Sequence, residues 1–309
     1  MKTHQTALLL VVPLLIPAAK PLAVQEQSDF TMAPVGAEGF AVLREFFRYD
    51  RGVPLDVRLA ERSDGPGYVR EKLVFQGIRD SRVPAYLALP TSGEPPYPCV
   101  IMLHGIGGSK EGWWQEDASH SGRLLTDGLL AAGFCVLALD AEYHGERLAQ
   151  NDYESATVFT FQRGWMQRTR DMVVQSVVEH RRAIDVLETR DDVDTSRIGI
   201  VGYSMGGMMT FMLAAVEPRI SAAVACVPPL VREDLSPMAI HNYAPRIETQ
   251  PFLLLVAEED AANSTPQEAR RLHDLIPSPT KELGLYEGGH LLPPEWTGRA
   301  AKWMEAGLE

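Results

Sequence analysis

The chain has 309 residues, 45% of them hydrophobic, a formal net charge of −12 and three cysteines. That length suits one sizeable α/β domain plus a leader. The acidic balance argues against nucleic acid and anionic membranes as partners.

The first 24 residues read as a secretory signal. Lys2 and His4 precede the apolar run Ala7–Ile16, with Pro and Ala beyond it. The run is short of the roughly 20 residues a membrane helix needs, so no stable membrane insertion is expected. A secreted or periplasmic protein follows, with an uncleaved N-terminal anchor as the alternative. Residues 25–67 form an extension packing on the body, with a short helix over Phe40–Phe47. Tyr68–Phe75 and Val83–Leu89 alternate apolar and polar residues, as an antiparallel edge hairpin would. From there apolar strands alternate with helical stretches. The strands are Cys99–Leu103, Phe134–Leu139, Ile198–Tyr203, Ala222–Val227, Phe252–Val256 and Glu282–Tyr286. The helices are Gly122–Ala132, Thr169–Glu188, Met205–Val216, Pro266–Leu275 and Glu295–Met304. Such alternation predicts an α/β fold: a mostly parallel twisted sheet of about eight strands with helices on both faces. The stretch 146–168 exceeds a simple connection and is a candidate lid. Its aromatics Tyr153, Phe159, Phe161 and Trp165 either line a pocket or pack the lid down. Cys99, Cys135 and Cys226 fall in or beside apolar strands and read as buried thiols, a Cys99–Cys135 bridge being the alternative.

Three strand ends carry chemistry. Gly202-Tyr203-Ser204-Met205-Gly206-Gly207 follows the strand Ile198–Val201 and opens a helix. A serine there stands on a sharp strand-to-helix turn, and the Met205 N–H faces a developing oxyanion. The run Phe252–Val256 ends in Glu258-Glu259-Asp260, and Leu283–Tyr286 ends in Gly288-Gly289-His290. Serine, acid and base in that order fit a nucleophile, an orienting carboxylate and a proton shuttle. Ser204, Asp260 and His290 are the expected triad, with Glu259, Glu233 and Asp234 as alternative acids. His104 and His144 precede the serine, against that order; His120, His180, His241 and His273 read as surface residues. His104-Gly105-Ile106-Gly107-Gly108 follows another apolar strand. Its Gly-rich turn lets the Ile106 N–H serve as the second oxyanion donor. Tyr203, Trp113 and Trp165 are candidate pocket residues. Asp140–Arg147, charged and at a strand end, reads first as a bracing loop and second as a pocket floor. No dinucleotide fingerprint, P-loop or zinc-like spacing occurs, so no cofactor and no metal are expected.

These motifs together resemble the α/β-hydrolase superfamily, and within it the dienelactone-hydrolase, acetyl-xylan-esterase and prolyl-oligopeptidase-like branch. The resemblance covers about 68–309, which it implies is the catalytic domain. Dienelactone hydrolases proper use a cysteine nucleophile, whereas Ser204 stands here. The resemblance implies a serine hydrolase acting on a small-molecule carboxylic ester through an acyl-enzyme. The alternative is a peptidase of the oligopeptidase-like type. The large propeller that sieves peptides in that type has no counterpart in the short stretch 25–67. A catalytically silent binding protein is a third reading.

Overall fold

The computed structural model describes residues 30–116, 119–260 and 263–309, so the expected leader lies outside the described residues. The chain divides into two units, Met1–Thr31 and Met32–Glu309, and the second carries all that follows.

Nine strands form one sheet: β1 (Arg58–Gly65), β2 (Tyr68–Gln76), β3 (Arg82–Pro90), β4 (Tyr97–Leu103), β5 (Cys135–Leu139), β6 (Val193–Tyr203), β7 (Ile220–Cys226), β8 (Phe252–Ala257) and β9 (Lys281–Tyr286). Their order is β1-β2-β3-β5-β4-β6-β7-β8-β9. β1, β2 and β3 pair antiparallel, as does β3 with β5; every pair from β5 through β4 to β9 is parallel. The sheet thus starts at Arg58, ten residues before the hairpin at which the sequence places the start of the body. β1 escapes sequence reading because its side chains are mostly exposed and show no apolar alternation.

The helices are α1 (Ala37–Glu45), α2 (Gly122–Ala131), α3 (Met166–Leu187), α4 (Met205–Val216), α5 (Pro266–Asp274) and α6 (Glu295–Gly307). α4 is apolar nearly all round and buried along its whole length except Ala215, as a helix pressed between sheet and neighbours must be. α5 is amphipathic and opens with a capping box: Glu268 N–H donates to Thr265 Oγ1 while Thr265 N–H donates to the Glu268 carboxylate. Trp113, Leu125, Leu129, Trp296 and Met304 belong to a single core cluster beneath α2 and α6. Phe47, just past α1, is fully buried and packs edge-on against Tyr243.

β4 lies between β5 and β6, so the chain leaves β4 in both directions. Open parallel sheets bind ligands at such a reversal, beyond the carboxyl ends of the strands. The His104 loop follows β4 and Ser204 follows β6, on either side of that reversal. Cys99 and Cys135 face each other in the β4/β5 register, fully buried and unbridged. Among the described residues no helix is long and apolar enough to cross a membrane.

Candidate active site

Ser204 connects β6 to α4 with φ 56° and ψ −115°. A non-glycine residue at positive φ stores roughly 1–3 kcal/mol of strain, which the packed surroundings must hold. They do so by close approach. A side chain on Gly202 would collide with the Gly206 carbonyl, and one on Gly206 would collide with the Leu103 carbonyl of β4. Both glycines are therefore required for β4, β6 and α4 to meet here. The Ser204 N–H donates to the Cys226 carbonyl (2.9 Å), and the Ser204 carbonyl accepts from Met208 N–H (3.0 Å). The backbone at the serine is tied on both sides while its hydroxyl stays at the edge.

That hydroxyl meets His290. Nε2 lies 2.9 Å from Ser204 Oγ, and Nδ1 lies 2.7 Å from Asp260 Oδ2. Asp260 follows β8 and is buried; His290 follows β9 and its side chain keeps 35% exposure. Asn263 Nδ2 donates to the other Asp260 oxygen, Oδ1, at 2.7 Å, and lies 3.0 Å from His290 Nδ1. The Tyr203 hydroxyl donates to the His290 carbonyl (2.9 Å) and accepts from Leu292 N–H (2.8 Å), tying the histidine loop to the elbow strand. Glu259, Glu233 and Asp234 are exposed, and among the described residues the carboxylate paired with His290 is Asp260.

The His104 loop closes the other side. A methyl group built on Gly105 would sit 3.2 Å from Ser204 Cβ. His104 pins this loop: Nδ1–H donates to the Gly105 carbonyl (2.8 Å), and Nε2 accepts from Ala141 N–H (3.0 Å). Burial pushes the His104 imidazole down to about 4, which keeps it neutral in that tautomer. Among the described residues the Ile106 and Met205 amides donate to no backbone carbonyl in the loops and turns. Met205 is the first residue of a 12-residue helix, where backbone N–H groups and the dipole favour negative charge.

A cavity of about 140 Å³ opens beside Ser204, lined mainly by Ile106, Phe161, Met166, Val173, Met205, Met208, Val231 and Met238, with Thr160, Thr169, Pro229 and Asn263. The candidate pocket residues fall elsewhere. Trp113 is fully buried in the core and packs on His120. Tyr203 is buried beneath the elbow and serves the histidine loop instead. Trp165 is 46% exposed outside the cavity, with the guanidinium groups of Arg163 and Arg168 4.7 and 5.9 Å from its ring. From 146–168, Thr160, Phe161 and Met166 reach the cavity. Phe159 packs inward and Tyr153 faces solvent. The methionines of α4 were legible as an apolar helix, but which turn faces the cavity was not. A second cleft of about 390 Å³, lined by residues such as Tyr49, Arg79 and Gln175, holds no nucleophile–base pair.

Asp140 braces the loops. It is wholly buried and accepts from Lys110 N–H (2.9 Å), Lys110 Nζ (2.8 Å) and Glu146 N–H (3.0 Å). Arg147 and Glu179 form a further buried ion pair behind it. His180 and His241 are buried, contrary to their reading as surface residues, because α3 and the 240–246 turns pack inward. Among the described residues no group of three or more His, Cys, Asp or Glu side chains converges as a metal site.

Residues 83–288 match the model of the dienelactone hydrolase family. The chain belongs to that family. It is 29% identical over 172 residues to YtaP of Bacillus subtilis (strain 168), named only as a hydrolase, covering 54% of each chain. It is 26% identical over 197 residues to cutinase est2 of Thermobifida alba, covering 61% of this chain and 59% of that one. The chain thus spans little more than half the length of these relatives. Among solved structures, acetyl xylan esterase 1 from Thermoanaerobacterium superposes with a TM-score of 0.70 at 18% identity, covering 89% of this chain and 95% of that one. This likeness is one of fold.

Proposed function

We propose that this family member is a serine esterase that cleaves carboxylic esters through an acyl-enzyme. The observation that carries the reading is the unbroken chain from Ser204 Oγ through His290 to Asp260, ending at an apolar cavity. In this reading Ser204 attacks the ester carbonyl while His290 Nε2 takes its proton. The tetrahedral oxyanion sits against the Ile106 and Met205 amides, a contact worth about 3–4 kcal/mol per donor in comparable sites. His290 then returns the proton to the departing alcohol, and water repeats the sequence to release the acid. Asp260 holds the imidazole in the Nδ1–H tautomer and stabilises the imidazolium. The names of the relatives, a cutinase among them, support ester chemistry.

The geometry also orients the substrate. The leaving group must lie where His290 can protonate it, and His290 is half open to solvent rather than part of the cavity wall. The acyl group therefore enters the cavity, beside the oxyanion donors, and the alcohol leaves on the open side. The cavity is well below the roughly 300 Å³ at which whole-ligand pockets begin, so a short acyl chain and a varied alcohol are the expected substrate. Export to the periplasm or medium belongs to the same reading, on the strength of the apolar leader. N-terminal sequencing of protein from the native host should then find a start between Lys20 and Gln27.

The test compares kcat/KM for a p-nitrophenyl butyrate ester and an alanyl p-nitroanilide, with Ser204→Ala alongside. The ester should be cleaved far faster, because an alkoxide or phenolate departs with little help whereas an amine must be protonated as it departs. Ser204→Ala should lower kcat by at least about 10³-fold in a folded protein. Preference for the anilide would turn the reading toward a peptidase, and normal turnover by Ser204→Ala would refute it.

A further inference from the structure

Among the described residues, Asn263 is the one side chain besides His290 that donates to the Asp260 carboxylate. We propose that Asn263 is the positioning residue of the acid: its amide selects which Asp260 oxygen faces His290. The proposal rests on the esterase reading of the site. Asp260 is 7% exposed, so an oxygen without a donor would be costly. Oδ2 takes the His290 Nδ1–H at 2.7 Å, and Oδ1 takes Asn263 Nδ2 at 2.7 Å. The turn leaves Asn263 little freedom: its N–H and that of Ser264 both donate to the Asp260 carbonyl at 3.0 Å. The network fixes the orientation of the amide, since the reverse would set two oxygens 2.7 Å apart.

The second contact gives Asn263 a further role. Its Nδ2 lies 3.0 Å from His290 Nδ1. An amide nitrogen only donates, and so does Nδ1 in the tautomer that serves catalysis. Were Nδ1 to lose its proton, it would accept from Asn263 but turn a lone pair toward the Asp260 anion. The charge-assisted bond wins, and Nδ1 keeps its proton. Asn263 Nδ2 then sits as a second donor beside that N–H. The other groups facing the ring are Ser204 from the elbow and Tyr203 from β6, whose hydroxyl bonds the His290 carbonyl and whose ring is 6.1 Å away. Asp260 is the one charged side chain paired with it among the described residues.

Two variants separate positioning from mere packing. Asn263→Ala removes the donor; Asn263→Asp keeps the size and replaces the donor by an acceptor. Asn263→Ala should lower kcat on the butyrate ester by roughly 10–100-fold with little change in KM, as loss of an orienting partner does at other sites. In Asn263→Asp, a second carboxylate beside Nδ1 favours the imidazolium. The rising limb of the kcat/KM profile should move upward by about one pH unit or more. The downfield Nδ1–H resonance of His290 should titrate at correspondingly higher pH, a readout that needs no turnover. It holds if Asn263→Ala fails to fold or if the wild type cleaves no ester, which would count against the esterase reading alone. A titration in Asn263→Asp that coincides with wild type would overturn the proposal and leave Asn263 as part of the cavity wall.

Discussion

Two buried carboxylates stand just past strands of the same sheet, and the fold uses them differently. Asp140, after β5, has three donors, one of them the permanent cation of the buried Lys110. Asp260, after β8, has an amide on one oxygen and a histidine on the other. The Asp140 network closes on itself through Lys110 Nζ and Glu146 (2.6 Å). The Asp260 network stays open: it runs through a partly exposed ring to a hydroxyl beside an apolar cavity. The two histidines repeat the contrast. Both ring nitrogens of His104 are satisfied by backbone, whereas His290 has only side chains at its two nitrogens. A saturated network holds loops in place, and an open one is what the proposed proton transfer requires.

The sharpest way to break this contrast is to neutralise the open carboxylate. Asp260→Asn should lower kcat by about 10³–10⁴-fold, because an amide there no longer favours the productive tautomer. Glu259→Gln, an exposed change, should leave turnover within about two-fold and stability within about 0.5 kcal/mol. Steady-state kinetics on both variants decides it. A damaging Glu259→Gln beside a tolerated Asp260→Asn would displace the acid by one residue.

Opening the closed network should cost stability first. Lys110→Met removes the cation between Asp140 and Glu146 and leaves Asp140 buried without its charge partner. Breaking a buried pair from one side costs about 3–5 kcal/mol. Urea unfolding should show that loss. A variant as stable as wild type would mean that water, rather than Lys110, solvates Asp140.

The histidines that flank the closed network make the fold sensitive to acid. Burial pushes His104 and His180 down to about 4 and His144 down to about 3. As pH falls from about 6.5 the unfolded chain takes up protons that the native state refuses, so stability is lost between about 6.5 and 4, on the order of 3 kcal/mol per histidine over the whole window. Glu142 opposes them: burial, with Glu179 nearby, raises its carboxyl to about 7. The native state then keeps a proton that the unfolded chain releases above about 4.5, so this group stabilises the fold as pH falls from 7 toward 4.5. Three histidines outweigh one carboxyl. Calorimetry from pH 7 to pH 4.5 should record a Tm lower by several degrees, and a flat profile would show that the three rings reach water.

Much of this was legible in the chain. The elbow, the strand ends and the Gly-His pair follow from apolar runs bounded by glycine, where local sequence fixes local backbone. The pocket wall was not, because it is assembled from the 146–168 stretch, α3, α4 and the 229–238 loop, which no local pattern relates. Trp113 and Tyr203 are near the motifs in sequence, yet their bulk is spent on the core and on the histidine loop. β1 was hidden because its register is imposed by β2 rather than by its own apolar pattern. Asn263 carries no signal beyond lying three residues after the acid, and its role is visible only as a pair of distances.

The smallest expected effect tests the tie between elbow and histidine loop. Tyr203→Phe keeps the ring, which packs at 5.6 Å from Trp296 and 5.4 Å from His120, and removes only the hydroxyl. Two backbone groups then lose a partner: the His290 carbonyl and the Leu292 N–H. Leu292 is 3% exposed, so its amide gains no easy replacement from water. Leaving such a donor unmade costs about 1–3 kcal/mol. The same loss frees the loop that holds His290 at 2.9 Å from Ser204 Oγ. Turnover should fall by several-fold to about 10-fold, since a misplaced base weakens proton transfer without abolishing it. KM should change little, because Tyr203 does not line the cavity beside Ser204. A large rise in KM at unchanged kcat and stability would put the Tyr203 hydroxyl back in the pocket.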